Sequence, residues 1–224
     1  MSAEPAPLIP GRVYGLRTWR VHGEPGHERL AAPHRGLSWP TGGEALVARC
    51  EGGGHAAPAQ GCDCGIHAYH PRPGSARRVL AGRFELPGIV EAWGHVEVHE
   101  DGFRAERGRP HALVLVPGRH AAQVRRLATA YAVPVLELRR PDALLSYCRE
   151  HGLGLSEPVV ERLLGPAELA RGRSARRRKR RLDAVRVGVA LLIAALLCLA
   201  GLRFLVDPPG PRVLWGRSGE IHVK

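Results

Sequence analysis

One stretch near the end of the chain limits its architecture more than any other. Val187 to Leu202 reads VGVALLIAALLCLAGL without a charge, and Phe204-Leu205-Val206 extend it past a single Arg203. As a helix, the twenty residues 187–206 would reach about 30 Å at about 1.5 Å per residue, the thickness of a bilayer core. Arg203 sits near the end of the run, where its stem can snorkel to the headgroups. Asp207-Pro208-Pro209-Gly210 then halts the helix. A buried helix of a soluble core would also be apolar. The absence of any polar face and the basic flank favour a single transmembrane helix.

That flank sets the expected direction. Between Arg171 and Arg186 stand nine basic residues against one acid, Asp183, a net +8, and the residues after Leu202 contribute +2. Of the net +12, only +2 is left for residues 1–170. Of the 33 basic residues 31 are Arg, and with 28 Gly and 19 Pro this skew suggests a GC-rich, bacterial coding genome. Cationic flanks stay on the cytoplasmic side, so the N-terminal part is expected on the cytoplasmic side of a bacterial inner (plasma) membrane and the C-terminal tail outside it. The start, MSAEPAPLIPGRV, lacks a basic segment followed by an apolar one, so no signal peptide is expected. Arg171–Arg186 should also attract anionic lipid headgroups. The near-neutral remainder argues against a phosphate-binding face, which leaves nucleic acid only the basic stalk. Ala190, Ala194 and Cys198, four residues apart, offer a small-residue seam through which a homodimer could form.

Ahead of the stalk the pattern is mixed. Arg12–Val21 reads as a strand with a glycine irregularity, residues 22–44 as a long surface connection, and Ala45–Arg49 as a short strand before a loop at 51–65. Val79–Glu85, Ile89–His99, Phe103–Glu106 and Ala112–Val116 read as strands, separated by Pro87-Gly88, Glu100-Asp101-Gly102 and Arg109-Pro110. The Asp-Gly pair is a hairpin signal. From Arg119 the period changes: Ala121, Val124, Leu127, Ala128 and Tyr131 share one helix face, and Pro134 ends it. Val135–Leu138 is a further strand. Asp142–His151 and Ser156–Leu164 are helices, with Gly152 closing the first and Ser156 capping the second.

The expected fold class is therefore α+β: a β-rich N-terminal soluble module, an α-richer segment, and a single transmembrane helix. The expected divisions are a loose N-terminus (1–11), a β-rich Cys/His module (12–118) and an α-rich segment (119–165). A basic juxtamembrane stalk (166–186), the membrane helix (187–206) and a short external tail (207–224) follow.

The chemistry-bearing cluster lies in CEGGGHAAPAQGCDCGIHAYH, residues 50–70. Cys50, Cys62 and Cys64 fall within fifteen residues, beside His55, His67 and His70. Cys148, on a helix, and Cys198, in the membrane run, read as apolar packing. In a reducing compartment, clustered thiols favour a metal or a reactive thiol over a disulfide. Cys50, His55, Cys62 and Cys64 supply the four soft or borderline donors that tetrahedral zinc takes, and Gly52-Gly53-Gly54 with Gly61 let the loop fold back. Cys-x-Cys is tighter than the usual spacer of zinc knuckles. His67 could stand in for His55. Two alternatives stay open: reduced cysteines with no shared role, and a reactive thiol at Cys62 or Cys64, activated if Gly65 opens a helix. Trp93-Gly94 reads as a core aromatic beside a bulge. His95, Glu97, His99 and Arg104 could compose a catalytic group, but fit an exposed polar hairpin face better. No serine nucleophile elbow, P-loop, HExxH or dinucleotide-binding glycine pattern occurs.

Three segments, GLRTWRV (15–21), C…HAAPAQGCDCGIHAY (50–69) and WGHVEVHEDGFRAERGRP (93–110), resemble a group of uncharacterised bacterial proteins. These are similar in a C…AP…C-x-C-G-[IL]-[YH]-A segment followed by WG-x-V-x-x-H-x-x-G-[YF]-R-A. The resemblance covers about residues 12–138 and implies no activity. It does imply that Cys62, Cys64, Gly65, Trp93, Gly94, His99, Gly102 and Arg104 form the recognisable core of the module. His67 stands where the group usually has Tyr, which weakens it as a general ligand.

The resulting expectation is a membrane-anchored cytoplasmic binding or scaffold module, stapled by zinc and recognising a protein or ligand at the inner membrane face. A thiol-dependent enzyme using Cys62 or Cys64 with His99 or His55, and a nucleic-acid-binding module working through the stalk, are the alternatives.

Overall fold

A computed structural model describes residues 11–33, 37–82, 85–118, 121–138 and 140–165, with Ala194 and the pairs 214–215 and 221–222. The chain divides into two units, Met1–Leu169 and Ala170–Lys224. In the second, Leu214–Trp215 pairs antiparallel with Ile221–His222. The basic stalk and, but for Ala194, the apolar run 187–206 lie outside the described residues. Among the described residues no helix is long and apolar enough to cross a membrane.

The first unit is α+β, as expected. Its frame is a long hairpin, β5 (Leu86–Val98) and β6 (Gly102–Leu115). Around it run β1 (Val13–His22), β2 (Arg29–Ala31), β3 (Leu46–Val47), β4 (Ile66–Tyr69) and β7 (Val135–Glu137), giving a seven-stranded sheet. β1 lies antiparallel to β5 and β4 antiparallel to β6, while Leu16 on β1 pairs with Tyr69 on β4. The pairings β1–β5–β6–β4–β1 thus close on themselves. β7 is parallel to β6, reached through α2 (Ala121–Tyr131), as a parallel neighbour requires a crossover.

Residues alternate across a strand, so β1, β5 and β6 feed two cores. Trp19, Val90, Val96, Phe103 and Leu113 pack on one side with Val124, Leu127, Ala128 and Tyr131 of α2. This is the helix face expected from the 119–132 pattern. Leu16, Ile89, Ala112 and Val114 pack on the other side under α1 (Pro73–Ala81) and α3 (Pro141–Glu150). Each fully buried large aliphatic side chain there contributes about 1.5–3 kcal/mol. Cys148 lies in this second core, 1% exposed, and burial pushes its thiol up to about 11. It is apolar packing, as expected. Residues 157–165 form a fourth helix, its first amide bonds closing on the Ser156 carbonyl.

Three expectations are corrected. Residues 22–44 are more than a surface connection: they contain β2, and Leu30 and Trp39 are buried. The Tyr131 hydroxyl accepts from the Leu30 amide at 2.9 Å and donates to the Trp39 carbonyl at 2.9 Å, and Trp39 meets Trp19 edge-on. Val79–Ala81, read as the start of a strand, ends α1, which starts at Pro73, a residue whose fixed φ suits a first helical position. Finally, Pro87-Gly88 and Arg109-Pro110 do not divide strands. Both pairs lie within them, and the register shifts where Ile89 faces Ala112 but Val90 faces Pro110, a bulge that tolerates the missing amide.

The hairpin turn falls where Asp-Gly placed it, with mutual backbone bonds between His99 and Gly102. Gly102 is required there by closeness: a Cβ on it would sit 1.9 Å from the Ala68 carbonyl oxygen of β4.

Candidate metal centre

β6 brings the cysteines together. Its free edge first carries β3, where Leu46 and Val47 face Gly108 and Arg107, and the Ala48 amide bonds the Glu106 carbonyl at 2.7 Å. The next position along the same edge, Ala105, is faced by Ile66 of β4. Residues 49–65 are therefore an excursion from an otherwise continuous edge, with adjacent ends. Such a loop pays little closure entropy beyond its own length. Within it, Arg49 bridges Ala56, the Gly53 amide bonds the Cys50 carbonyl at 3.2 Å, and the Cys62 amide bonds the Ala59 carbonyl at 3.1 Å. Gly53, Gly54 and Gly61 take positive φ, which L side chains resist.

The loop brings four side chains to one point. The donor atoms of Cys50, His55, Cys62 and Cys64 all lie within 4.8 Å of one another. Cys50 Sγ is 3.7 Å from Cys62 Sγ, and Cys64 Sγ is 3.4 Å from His55 Nε2. Tetrahedral zinc, with Zn–S about 2.3 Å and Zn–N about 2.0 Å, places sulfurs about 3.8 Å apart and sulfur and nitrogen about 3.5 Å apart. The donors fit such an ion in chemistry, and these two separations match its spacing. Cys64 is buried, Cys50 and Cys62 are half-buried, and His55 is exposed.

The thiols differ electrostatically. Hydrogen bonds, led by the one from Cys50 and helped by the backbone at Cys64, hold Cys62 down to about 7, whereas burial raises Cys64. A thiol near 7 gives up its proton readily to a metal.

Arg104 completes the centre from below. Its side chain is 8% exposed. The guanidinium donates to the carbonyl oxygens of Cys62, of Cys64 at 3.4 Å and of Ala59 at 3.5 Å. It also donates to Glu97 Oε2 at 2.6 Å and, through Nε, to His99 Nε2 at 3.1 Å. An arginine Nε–H can only donate, so His99 Nε2 offers its lone pair and the ring carries its proton on Nδ1. Glu97 Oε1 lies 3.5 Å from the same nitrogen. Gly65 lets Arg104 approach: at φ +116, a Cβ there would meet Pro58 Cβ at 3.1 Å and Arg104 Cβ at 3.2 Å.

The other sequence candidates fall elsewhere. His67 points away, half-exposed, its Nε2 3.2 Å from the Asp63 carbonyl oxygen. His70 is fully buried and bonds the His99 carbonyl through Nε2 at 3.0 Å. Gly65 opens a strand, β4, and not the helix that would have activated a thiolate. Trp93 is half-buried, with Arg12 over its ring at 5.2 Å, and Gly94 takes φ +82 at a bulge where the His95 amide bonds Glu106 Oε2. Glu97 and Arg104 do not form an exposed hairpin face, because Arg104 lies under the Cys loop and pairs with Glu97, whereas the His99 side chain is 42% exposed. Sequence reasoning missed this clamp, and the only signal for it was the co-occurrence of the two motifs.

An open cleft of about 520 Å³ adjoins the centre, lined among others by Cys62, Asp63, His67, Glu97 and His99. Comparison with protein-family models, with curated proteins and with solved structures yields no match.

Proposed function

We propose that this chain is a membrane-tethered binding module whose first unit is stapled by one zinc ion on Cys50, His55, Cys62 and Cys64. The observation that carries the zinc is the convergence of three sulfurs and one imidazole nitrogen within 4.8 Å, in a loop whose two ends rest on one strand edge. A closed set of four protein donors leaves no position for a water or a substrate, the mark of a structural rather than a catalytic zinc. The thiol-enzyme reading is disfavoured for Cys64, which is 1% exposed with its thiol raised, and rests on Cys62, half-buried and held down to about 7.

The membrane assignment rests on the sequence. The run 187–206 has the length and apolarity of a span, and Arg171–Arg186 would keep the N-terminal unit on the cytoplasmic face of a bacterial inner membrane, against anionic headgroups, with 207–224 outside. The partner in this reading is a protein.

Metal analysis of the full-length chain tests the zinc. One zinc per chain, with X-ray absorption giving three sulfurs and one nitrogen, is the expected result. A folded, metal-free chain whose Cys50, Cys62 and Cys64 all alkylate rapidly would overturn it.

A further inference from the structure

The metal centre brings two of its sulfurs together on the solvent side, and their surroundings differ from those of the third. Cys50 Sγ and Cys62 Sγ are 3.7 Å apart, and both residues are half-buried. A disulfide needs about 2.0 Å between sulfurs, a closure of somewhat under 2 Å. Cys62 is held through its carbonyl by Arg104, so the movement falls to Cys50. Cys50 is followed by Gly52, Gly53 and Gly54. At Gly53 and Gly54 nothing lies within 4 Å of where a Cβ would stand, and at Gly52 only the Cys50 sulfur does, at 3.9 Å. That arm can shift without displacing packed atoms. Cys64 also lies against Cys62 but is placed differently: it is 1% exposed, its sulfur contacts His55, and Gly65 joins it directly to β4.

We propose that Cys50 and Cys62 form a peroxide-sensitive modification site, at which oxidation to a disulfide ejects the zinc and unstaples the loop. This rests on the zinc reading above. The oxidant is a hydroperoxide, ROOH. One thiolate of the pair attacks the outer oxygen: an S–O bond forms, the O–O bond breaks, and RO⁻ leaves and takes a proton as ROH. The second thiolate attacks the resulting sulfenic sulfur: the S–S bond forms, the S–O bond breaks, and hydroxide leaves and takes a proton as water. Two thiolates lose two electrons, the peroxide gains them, and zinc departs as Zn²⁺. Disulfide sulfur is no longer an anionic donor, and His55 with Cys64 alone cannot close a tetrahedron. A dithiol reductant reverses the step by exchange.

The experiment exposes the full-length, zinc-loaded chain to hydrogen peroxide. Released zinc is followed with a chromogenic chelator, and cysteine states are mapped by differential alkylation and peptide mass spectrometry. The expected result is full release of zinc, in step with loss of two thiols and appearance of a Cys50–Cys62 linked peptide. Dithiothreitol with added zinc should restore the starting state. If zinc is bound but peroxide leaves both metal and thiols in place, the switch is wrong and the metal centre stands. Release with sulfinic acid, or with a Cys62–Cys64 link, refutes the switch in the same way. A chain that takes up no zinc before peroxide is added overturns both.

Discussion

Arg104 donates to the backbone carbonyl of Cys62, forty-two residues earlier in the chain, while its other terminal nitrogen pairs with Glu97 Oε2 at 2.6 Å. One guanidinium thus ties the Cys loop to the β5–β6 hairpin. It does so from inside, where unpaired carbonyls and a lone carboxylate would be costly.

Replacement of Arg104 should therefore cost both stability and metal. In Arg104→Ala, Glu97 loses its buried partner, which typically costs about 3 kcal/mol or more. Loss of such a support to the ligand loop should weaken zinc binding by about 10- to 100-fold. Arg104→Lys should rescue little, because an ammonium cannot reach three carbonyls, a carboxylate and a ring nitrogen from one plane. Chelator competition on variants that circular dichroism shows to be folded provides the check. Chelator midpoints and Tm values equal to those of the unaltered chain would show that the clamp is incidental.

Two glycines separate crowding from backbone conformation. A methyl at Gly102 would meet the Ala68 carbonyl oxygen at 1.9 Å, which is backbone of the neighbouring strand, whereas Gly118, at φ +83, has nothing within 4 Å. Gly102→Ala should lose about 2–3 kcal/mol by overpacking. Gly118→Ala should lose only about 1 kcal/mol, the ordinary cost of left-handed backbone. Urea unfolding of both variants measures the difference. Equal losses would mean that β4 does not press on the hairpin turn.

How much of this could be read from the sequence follows from the range of the interactions. The convergence of Cys50, His55, Cys62 and Cys64 was legible because these residues are close in sequence and flanked by glycines. The helix 121–131 was legible because Val124, Leu127, Ala128 and Tyr131 repeat at its period. α1 was not, since only Ala76 and Val79 of its face are buried, too thin a stripe to outweigh the β-like residues after it. The long strands were cut at Pro87 and Pro110 because a proline usually ends pairing, and a bulge that excuses it leaves no local trace. Trp39 looked like a loop residue until Tyr131 and Trp19, both far along the chain, closed over it. The role of Arg104 was the least legible, because its partners are carbonyls, which every sequence has.

Acid should unfold the first unit partly through Glu28. This carboxylate is held down to about 2, chiefly by its hydrogen bond from Arg126, with a further bond from the Gly26 amide. A carboxylate whose folded pKa lies below its unfolded one stabilises at pH above the unfolded value, here 4.5, and that contribution fades as pH falls toward about 2. The stability gap between the unaltered chain and Glu28→Gln should be constant from neutral pH to about 5 and shrink below it. Thermal unfolding across that range gives the gap directly. A gap that widens on acidification would reverse the sign and exclude the pairing as its source.

Cys148 supplies the last test, because it distinguishes a cysteine that packs from those of the Cys50–Cys64 cluster. It sits on α3 in the core shared with α1, 1% exposed, with a thiol raised to about 11 by burial alone. In the folded chain it should resist alkylation whether or not zinc is bound, and react only on unfolding. Cys148→Ala removes a small apolar group and should cost about 1 kcal/mol. Cys148→Ser leaves a hydroxyl to find a partner in an apolar core and should cost more, about 1–3 kcal/mol. Neither change touches the metal centre, so both variants should carry the same zinc as the unaltered chain. Zinc lost from Cys148→Ala, with the fold intact by circular dichroism, would mean that this thiol takes part in the site and that the four-donor set is wrong.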